Sequence, residues 1–256
     1  MTDPILSLHQ LTKTFGPSAT AAVDHLTFDV AVGEVFGFLG HNGAGKTTTI
    51  QMLITLAQPS SGTARVAGFD ILADPAKVRQ NIGYVPENVR LYDRMTATEN
   101  LLFFARLSGI ANPAARVAEV LTALDATALG PRRVGSFSKG MRQRIGLAQA
   151  ILHRPKVLFL DEPTSGLDPM GIQLLRDVIA RLNRDDGMTI FMNTHLISEI
   201  AQTCTSIAVL GQGQLIYHDR VQAVTERYRD AASIEALYLS LEPQGRLAPN
   251  PARVPT

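Results

Sequence analysis

Residues 35–48 read Val-Phe-Gly-Phe-Leu-Gly-His-Asn-Gly-Ala-Gly-Lys-Thr-Thr. The first five form a continuous apolar run, which suits a strand buried on both faces, and Gly40 closes it. From Gly40 to Thr48 the chain fits G-x-x-x-x-G-K-[ST], a loop whose backbone N–H groups cradle phosphate. Beyond it Ile50, Leu53, Ile54 and Ala57 fall at helical spacing, so a helix is expected from Lys46 to Ala57. Glycines 43 and 45 let N–H groups point at phosphate oxygens with no Cβ in the way, and the helix N-terminus adds partial positive charge. The loop residues Gly40, His41, Asn42, Gly43, Ala44, Gly45, Lys46, Thr47 and Thr48 are therefore candidate nucleotide contacts. Lys46 would reach the β- and γ-phosphates, the Thr47 hydroxyl would ligate Mg²⁺, and Thr48 would donate to the α-phosphate.

Working outward, Leu26, Phe28 and Val30 alternate with Thr27 and Asp29, the period of a half-buried antiparallel strand, and residues 5–39 read as short strands. Residues 60–86 read as short strands and turns, ending in a buried strand at Ile82-Gly83-Tyr84-Val85-Pro86. The character then changes to helix. Thr96-x-x-Glu99 is a capping box, Asn112-Pro113 an N-cap followed by proline, and Ser138 a cap for a helix running to Pro155. Strands and helices alternate again from Val157-Leu158-Phe159-Leu160, through a helix at 170–183 and a strand at 189–192, to a hairpin turning at Gly211-Gln212-Gly213. Four prolines (243, 249, 251 and 255) mark residues 241–256 as a loose tail.

Two carboxylates, Asp161 and Glu162, sit at the carboxyl end of the strand at 157–160, where ligands of open α/β sheets bind. Asp161 is the natural partner for Mg²⁺ through a coordinated water, and Glu162 can take a proton from water attacking the γ-phosphorus. His195 follows another buried strand and reaches the same edge.

Composition narrows the classes. With 24 Lys+Arg against 23 Asp+Glu, the net charge of +1 argues against a general nucleic-acid binder. At 45% hydrophobic and 18% charged, the 256 residues are expected to fold rather than remain disordered. A single cysteine, Cys204, excludes an intrachain disulfide and fits a reducing compartment. Met1-Thr2-Asp3-Pro4 opens no signal peptide, and no apolar stretch approaches the roughly 18 residues of a membrane span, so a soluble, cytoplasmic chain is expected.

The phosphate loop and the Asp161-Glu162 pair, with a helical insertion between them, resemble the ATPase subunit of ABC transporters. Further residues agree. Ser136-Phe137-Ser138-Lys139-Gly140-Met141-Arg142-Gln143-Arg144 resembles the family signature, commonly L-S-G-G-Q, directly ahead of its helix. Ser165-Gly166-Leu167-Asp168 resembles the D-loop, His195 the switch histidine and Phe15 the aromatic that stacks on adenine. Three positions depart from the pattern. His41 replaces a proline that mainly shapes the loop. Glu87 stands where most members have the Q-loop glutamine; its carboxylate can still contact Mg²⁺ or its water but adds negative charge beside the triphosphate. Met141 replaces the signature glutamine, while Ser138 and Gly140, expected to meet the γ-phosphate, remain. Glu87, the Ser-Lys-Gly-Met string and the 91–108 segment together look like the ABC-2 exporter branch, whose ATPase and permease are commonly separate chains.

The resemblance implies an α/β fold: a P-loop NTPase core with a mostly parallel sheet, an N-terminal antiparallel β subdomain and an inserted α-helical subdomain. The ATPase domain would span residues 1–240, with core at 1–87 and 155–225, helical subdomain at about 88–154, and a flexible tail at 241–256. It implies ATP and Mg²⁺ as ligands, with Glu162, His195 and Lys46 in catalysis and Thr47, Asp161 and Glu87 around the metal. The subunits bind head to tail, as a homodimer or a heterodimer with a related subunit, and each ATP lies between one phosphate loop and the other chain's signature. Residues 131–156 hold seven Lys/Arg and no Asp or Glu, which suits a surface closing on a nucleotide, although most of these side chains are expected to form a solvated basic face. The partner implied is a separate multi-span membrane permease, which would hold the chain on the inner face of the cell membrane. Soluble ABC ATPases acting on nucleic acid or ribosomes are the alternative; they carry coiled-coil insertions or tandem units that are absent here, and no nucleic-acid partner is expected.

Overall fold

The computed structural model describes residues 3–16, 20–228, 237, 238 and 241. The expected tail beyond Leu241 lies outside the described residues. Four strands form an antiparallel sheet in the order β2-β1-β4-β5: β1 (Leu6–Lys13), β2 (Val23–Val30), β4 (Ser61–Val66) and β5 (Phe69–Asp70). A second sheet has β3 (Val35–Leu39) near its centre, between β8 (Thr189–Thr194) and β9 (Ser206–Gly211). Beyond β8 lie β7 (Val157–Asp161) and then β6 (Ile82–Val85), and these five strands are parallel. At the opposite edge β10 (Gln214–Arg220) pairs antiparallel with β9, closing the expected hairpin.

Every residue of β3, β7, β8 and β9 is buried, because both faces of that sheet are covered. Alternation divides the side chains between two cores. Phe36, Phe38, Phe159 and Phe191 point to one side, where they join Leu6, Leu11, Leu26 and Phe28 of the antiparallel sheet. Leu39, Leu158, Leu160, Ile190 and Met192 point to the other and share a core with the helices. Those helices are α3 (Ala97–Leu107), α4 (Pro113–Ala123), α5 (Lys139–Ala150) and α6 (Pro169–Asp186). The caps act as expected. Thr96 and Glu99 form a reciprocal capping box, and Asn112 and Ser138 accept from Ala115 N and Met141 N.

The structure departs from the sequence reading in several places. The first helix, α1 (Lys46–Leu53), stops short of Ala57, because the chain turns left-handed at Thr55 (φ 64°) and leaves Leu56 exposed. Within the 60–86 stretch, read as strands and turns, α2 (Pro75–Asn81) forms with Val78 as its one buried residue, too little apolar surface to register as a period. Two more short helices, α7 (Ile197–Thr203) and α8 (Val221–Tyr228), follow β8 and β10. Within the basic stretch at 131–156, two of the seven cations pair with carboxylates that lie outside it. Arg142 pairs with Asp93 at 2.8 Å and Arg154 with Glu119 at 3.0 Å; Arg144 donates to the Asp125 carbonyl, and Arg132 stacks over the Phe137 ring.

Phe191 is the hub of the inter-sheet core, with ring centroids 5.1 Å from both Phe36 and Phe38 and 5.4 Å from Phe159. Truncating it opens a cavity walled by rings that cannot collapse inward. Phe191→Ala should cost about 3–5 kcal/mol, read as a lower midpoint in urea unfolding at unchanged slope; a loss under about 1 kcal/mol would contradict this packing.

Candidate functional site

The parallel strands end level with one another. Leu39 is in register with Thr194, Asp161 with Asn193, and Leu160 with Val85. Gly40, Glu162, His195 and the Pro86-Glu87 segment therefore leave the sheet along one edge, the place where open α/β sheets bind ligands.

The phosphate loop crosses that edge between β3 and α1. Gly45, which precedes α1, has φ 104°, and a Cβ there would stand 2.4 Å from the Ala22 carbonyl oxygen, so only glycine fits. Lys46, 6% exposed, donates to the carbonyls of Gly40 (2.6 Å) and His41 (3.2 Å) and lies 3.6 Å from Glu162 Oε1. Burial pulls the Lys46 ammonium below its ordinary pKa, while Glu162 and Asp161 oppose the shift. The Thr47 hydroxyl donates to Asp161 Oδ1 at 3.2 Å. His41 Nδ1 lies 2.7 Å from the Asn42 carbonyl oxygen, and Ala44 is tied in by Gly213 N.

Asp161 is 6% exposed and held from both sides. Asn193 Nδ2 donates to its Oδ1 at 2.7 Å, and the Tyr84 hydroxyl to its Oδ2 at 3.3 Å. Burial, reinforced by the Asp161 carboxylate, pushes the Tyr84 phenol far above its usual range, so it stays a neutral donor. Glu162 adopts φ 48°, and its N–H donates to Asn193 Oδ1 at 2.7 Å. That turn brings one carboxylate oxygen toward Lys46, and the other lies 2.8 Å from His195 Nδ1. The imidazole is 48% exposed.

Within the chain, then, Lys46, Thr47, Asp161, Glu162 and His195 gather into one cluster. Phe15 does not join it through a hydrogen bond. It lies just past β1, 60% exposed, with the Lys13 ammonium 5.1 Å from its ring centroid. Ser138 and Gly140 lie at the start of α5, where Ser138 accepts from Met141 N and Gly140 faces Leu167. Glu87 accepts from the Ser165 hydroxyl at 3.0 Å instead of joining the Thr47–Asp161 pair. Sequence reasoning missed Asn193 and Tyr84 as site residues. The signal for Asn193 is a polar residue at the end of an otherwise apolar, fully buried strand.

The Thr47 hydroxyl and the Asp161 carboxylate are a hard-oxygen pair of the kind that holds Mg²⁺ together with substrate phosphates and water. Among the described residues no group of three or more His, Cys, Asp or Glu is arranged to hold a metal ion by itself.

A family model described as ABC transporter matches residues 23–165. The ABC transporter ATP-binding protein YhcH of Bacillus subtilis strain 168 is 43% identical over 213 residues, covering 83% of this chain and 68% of that protein. The bacitracin transport ATP-binding protein BcrA of Bacillus licheniformis is 41% identical over 212 residues, with the same coverage. Among solved structures, cbiO1 from Clostridium perfringens, part of the ABC transporter complex cbiONQ, superposes with a TM-score of 0.81 at 27% identity, covering 96% of this chain and 99% of that one.

Asn193 ties the Asp161 carboxylate to the Glu162 backbone, so its loss should misplace both residues. We expect Asn193→Ala to lower kcat about 10²-fold while ATP affinity, measured by equilibrium binding, changes far less. Equal losses in both would make Asn193 a folding residue only.

Proposed function

The chain belongs to the ABC transporter family as an ATP-binding, ATP-hydrolysing subunit, and from that premise we propose that its hydrolysis powers export through a separate multi-span membrane permease. The observation that carries the assignment of residues is the placement of Glu162 between Lys46 and His195, beside the Thr47–Asp161 pair. Gly40 to Thr48 cradle the triphosphate, and the Lys46 ammonium, already stripped of water, exchanges its carbonyl and carboxylate partners for the β- and γ-phosphates. Glu162 accepts a proton from the attacking water. His195, bonded to Glu162 and half exposed, orients that carboxylate and reaches the γ-phosphate. Thr47 and Asp161 would hold Mg²⁺, which neutralises charge developing on the phosphate oxygens. Phe15 offers the face opposite Lys13 to the adenine ring.

Ser138 accepts from Met141 N and Gly140 faces Leu167, away from the polar contacts that join Lys46, Thr47, Asp161, Glu162 and His195. This supports a head-to-tail pair of subunits, with the signature of one laid on the ATP of the other. ATP binding would close the pair and hydrolysis reopen it. The helical segment at about 88–154, which follows Glu87, would carry that motion to the permease. The relative BcrA is a bacitracin transport protein, which supports transport as the work that hydrolysis drives. Among the described residues no helix is long and apolar enough to cross a membrane, so attachment to the cytoplasmic face of the membrane would come through the permease.

Glu162→Gln should bind ATP and pair while turnover falls about 10²–10⁴-fold; ordinary turnover would remove Glu162 as the base. Lys46→Ala should instead weaken ATP binding itself by about tenfold or more, seen by equilibrium titration. The transport role is tested by capturing the Glu162→Gln chain with ATP from solubilised membranes. A co-purifying polytopic membrane protein supports export; recovery with only ribosomes, nucleic acid or soluble chains keeps the ATPase and overturns the transporter assignment.

A further inference from the structure

Two of the positions where this chain carries an unusual charge meet in space. Glu87 leaves the end of β6, the strand beside the one that carries Asp161 and Glu162. Lys139 is the first residue of α5, a helix with no acidic residue in its first turn. A lysine there faces the positive end of the helix dipole, the unfavourable sign for that position. The Ser165 hydroxyl lies between the two: it donates to Glu87 Oε1 at 3.0 Å and accepts from Lys139 Nζ at 3.4 Å. Gly166 makes the approach possible. It has φ 67°, a conformation that favours glycine, and a Cβ there would crowd Cδ and Nζ of Lys139 at 3.2 Å, so the lysine stem lies close over this position. Ser165 N in turn donates to the Glu162 carbonyl at 3.1 Å, placing the bridge one turn from the carboxylate assigned as the base.

We infer that Glu87, Ser165 and Lys139 form one charge-compensated unit, in which Lys139 cancels the repulsion between Glu87 and the nucleotide's terminal phosphate. Glu87 and Lys139 are thus positioning residues, and the Lys139 charge is needed only while Glu87 keeps its own. Glu87 is exposed, so in the nucleotide-free chain solvent screens the pair and it adds little to stability. Its effect emerges when a tetra-anionic nucleotide occupies the adjoining edge. The inference rests on the ATPase reading above.

The test is a double-mutant cycle on the full-length chain: Glu87→Gln, Lys139→Gln and both together, with KM for ATP, kcat and thermal midpoint measured for each. Lys139→Gln should raise KM about 5–10-fold at low salt, with a smaller rise at high salt and kcat within about twofold. Adding Glu87→Gln to it should bring KM back to within about twofold of wild type, whereas Glu87→Gln alone should change KM less than about twofold. The four thermal midpoints should agree. If Glu87→Gln changes KM by the same factor with and without Lys139, or if KM follows losses in thermal midpoint, the inference is overturned while the ATPase reading stands. A wild-type chain that neither binds nor hydrolyses ATP would overturn both.

Discussion

The level ending of buried parallel strands is the constraint on which this molecule is built. β3, β7 and β8 are covered on both faces, so their register is set by side chains that must enter one core or the other. A slip of one residue would send Phe191 away from Phe36 and Phe38 and toward the helices. With the register held, the phosphate loop, the carboxylate pair and His195 emerge at one height. No hydrogen bond among the site residues has to supply that alignment; the core does so, and the polar contacts only refine it. The antiparallel sheet serves the same end from below, its Phe28 ring stacked 5.5 Å from Phe36.

Refinement is the task of Asn193 and of the unusual backbone at Glu162. A left-handed φ at a glutamate is uncommon and is kept only where surroundings over-determine it. Here the Glu162 N–H is fastened to Asn193 Oδ1, and the same amide donates through Nδ2 to Asp161. One buried side chain thus sets two carboxylates to two directions, Asp161 toward Thr47 and Glu162 toward Lys46 and His195.

What was legible in the sequence is what is local in the chain. The loop from Gly40 to Thr48, the caps at Thr96, Asn112 and Ser138 and the pair Asp161-Glu162 each lie within a few residues and carry their own pattern. Asn193 and Tyr84 were not legible as site residues, because their roles depend on pairings with Asp161 across 32 and 77 residues of chain. The partners of Arg142 and Arg154 in the basic stretch at 131–156, Asp93 and Glu119, were not legible for the same reason, since both lie in earlier segments of the chain. The end of α1 and the whole of α2 were missed for a different reason. A left-handed residue at Thr55 and a helix burying only Val78 leave no periodic trace.

The electrostatics of the cluster argue that a single subunit is incomplete. One buried ammonium, Lys46, faces two carboxylates, Asp161 and Glu162, before any nucleotide arrives. A triphosphate adds negative charge to an edge that is already acidic, and the N–H groups of the loop and the start of α1 offer only partial positive charge. Mg²⁺ at Thr47 and Asp161 would answer part of that excess. The remainder calls for a surface outside the chain's own cluster, and the start of α5 is such a surface: an N-terminal helix end that opens with Lys139 and carries no acid in its first turn. Ser138 accepts from Met141 N there, which leaves its hydroxyl proton free to donate. Presented to a second copy in the proposed head-to-tail pair, that helix end would complete the charge balance only with nucleotide present, and pairing would then be conditional on ATP and reversible on its hydrolysis.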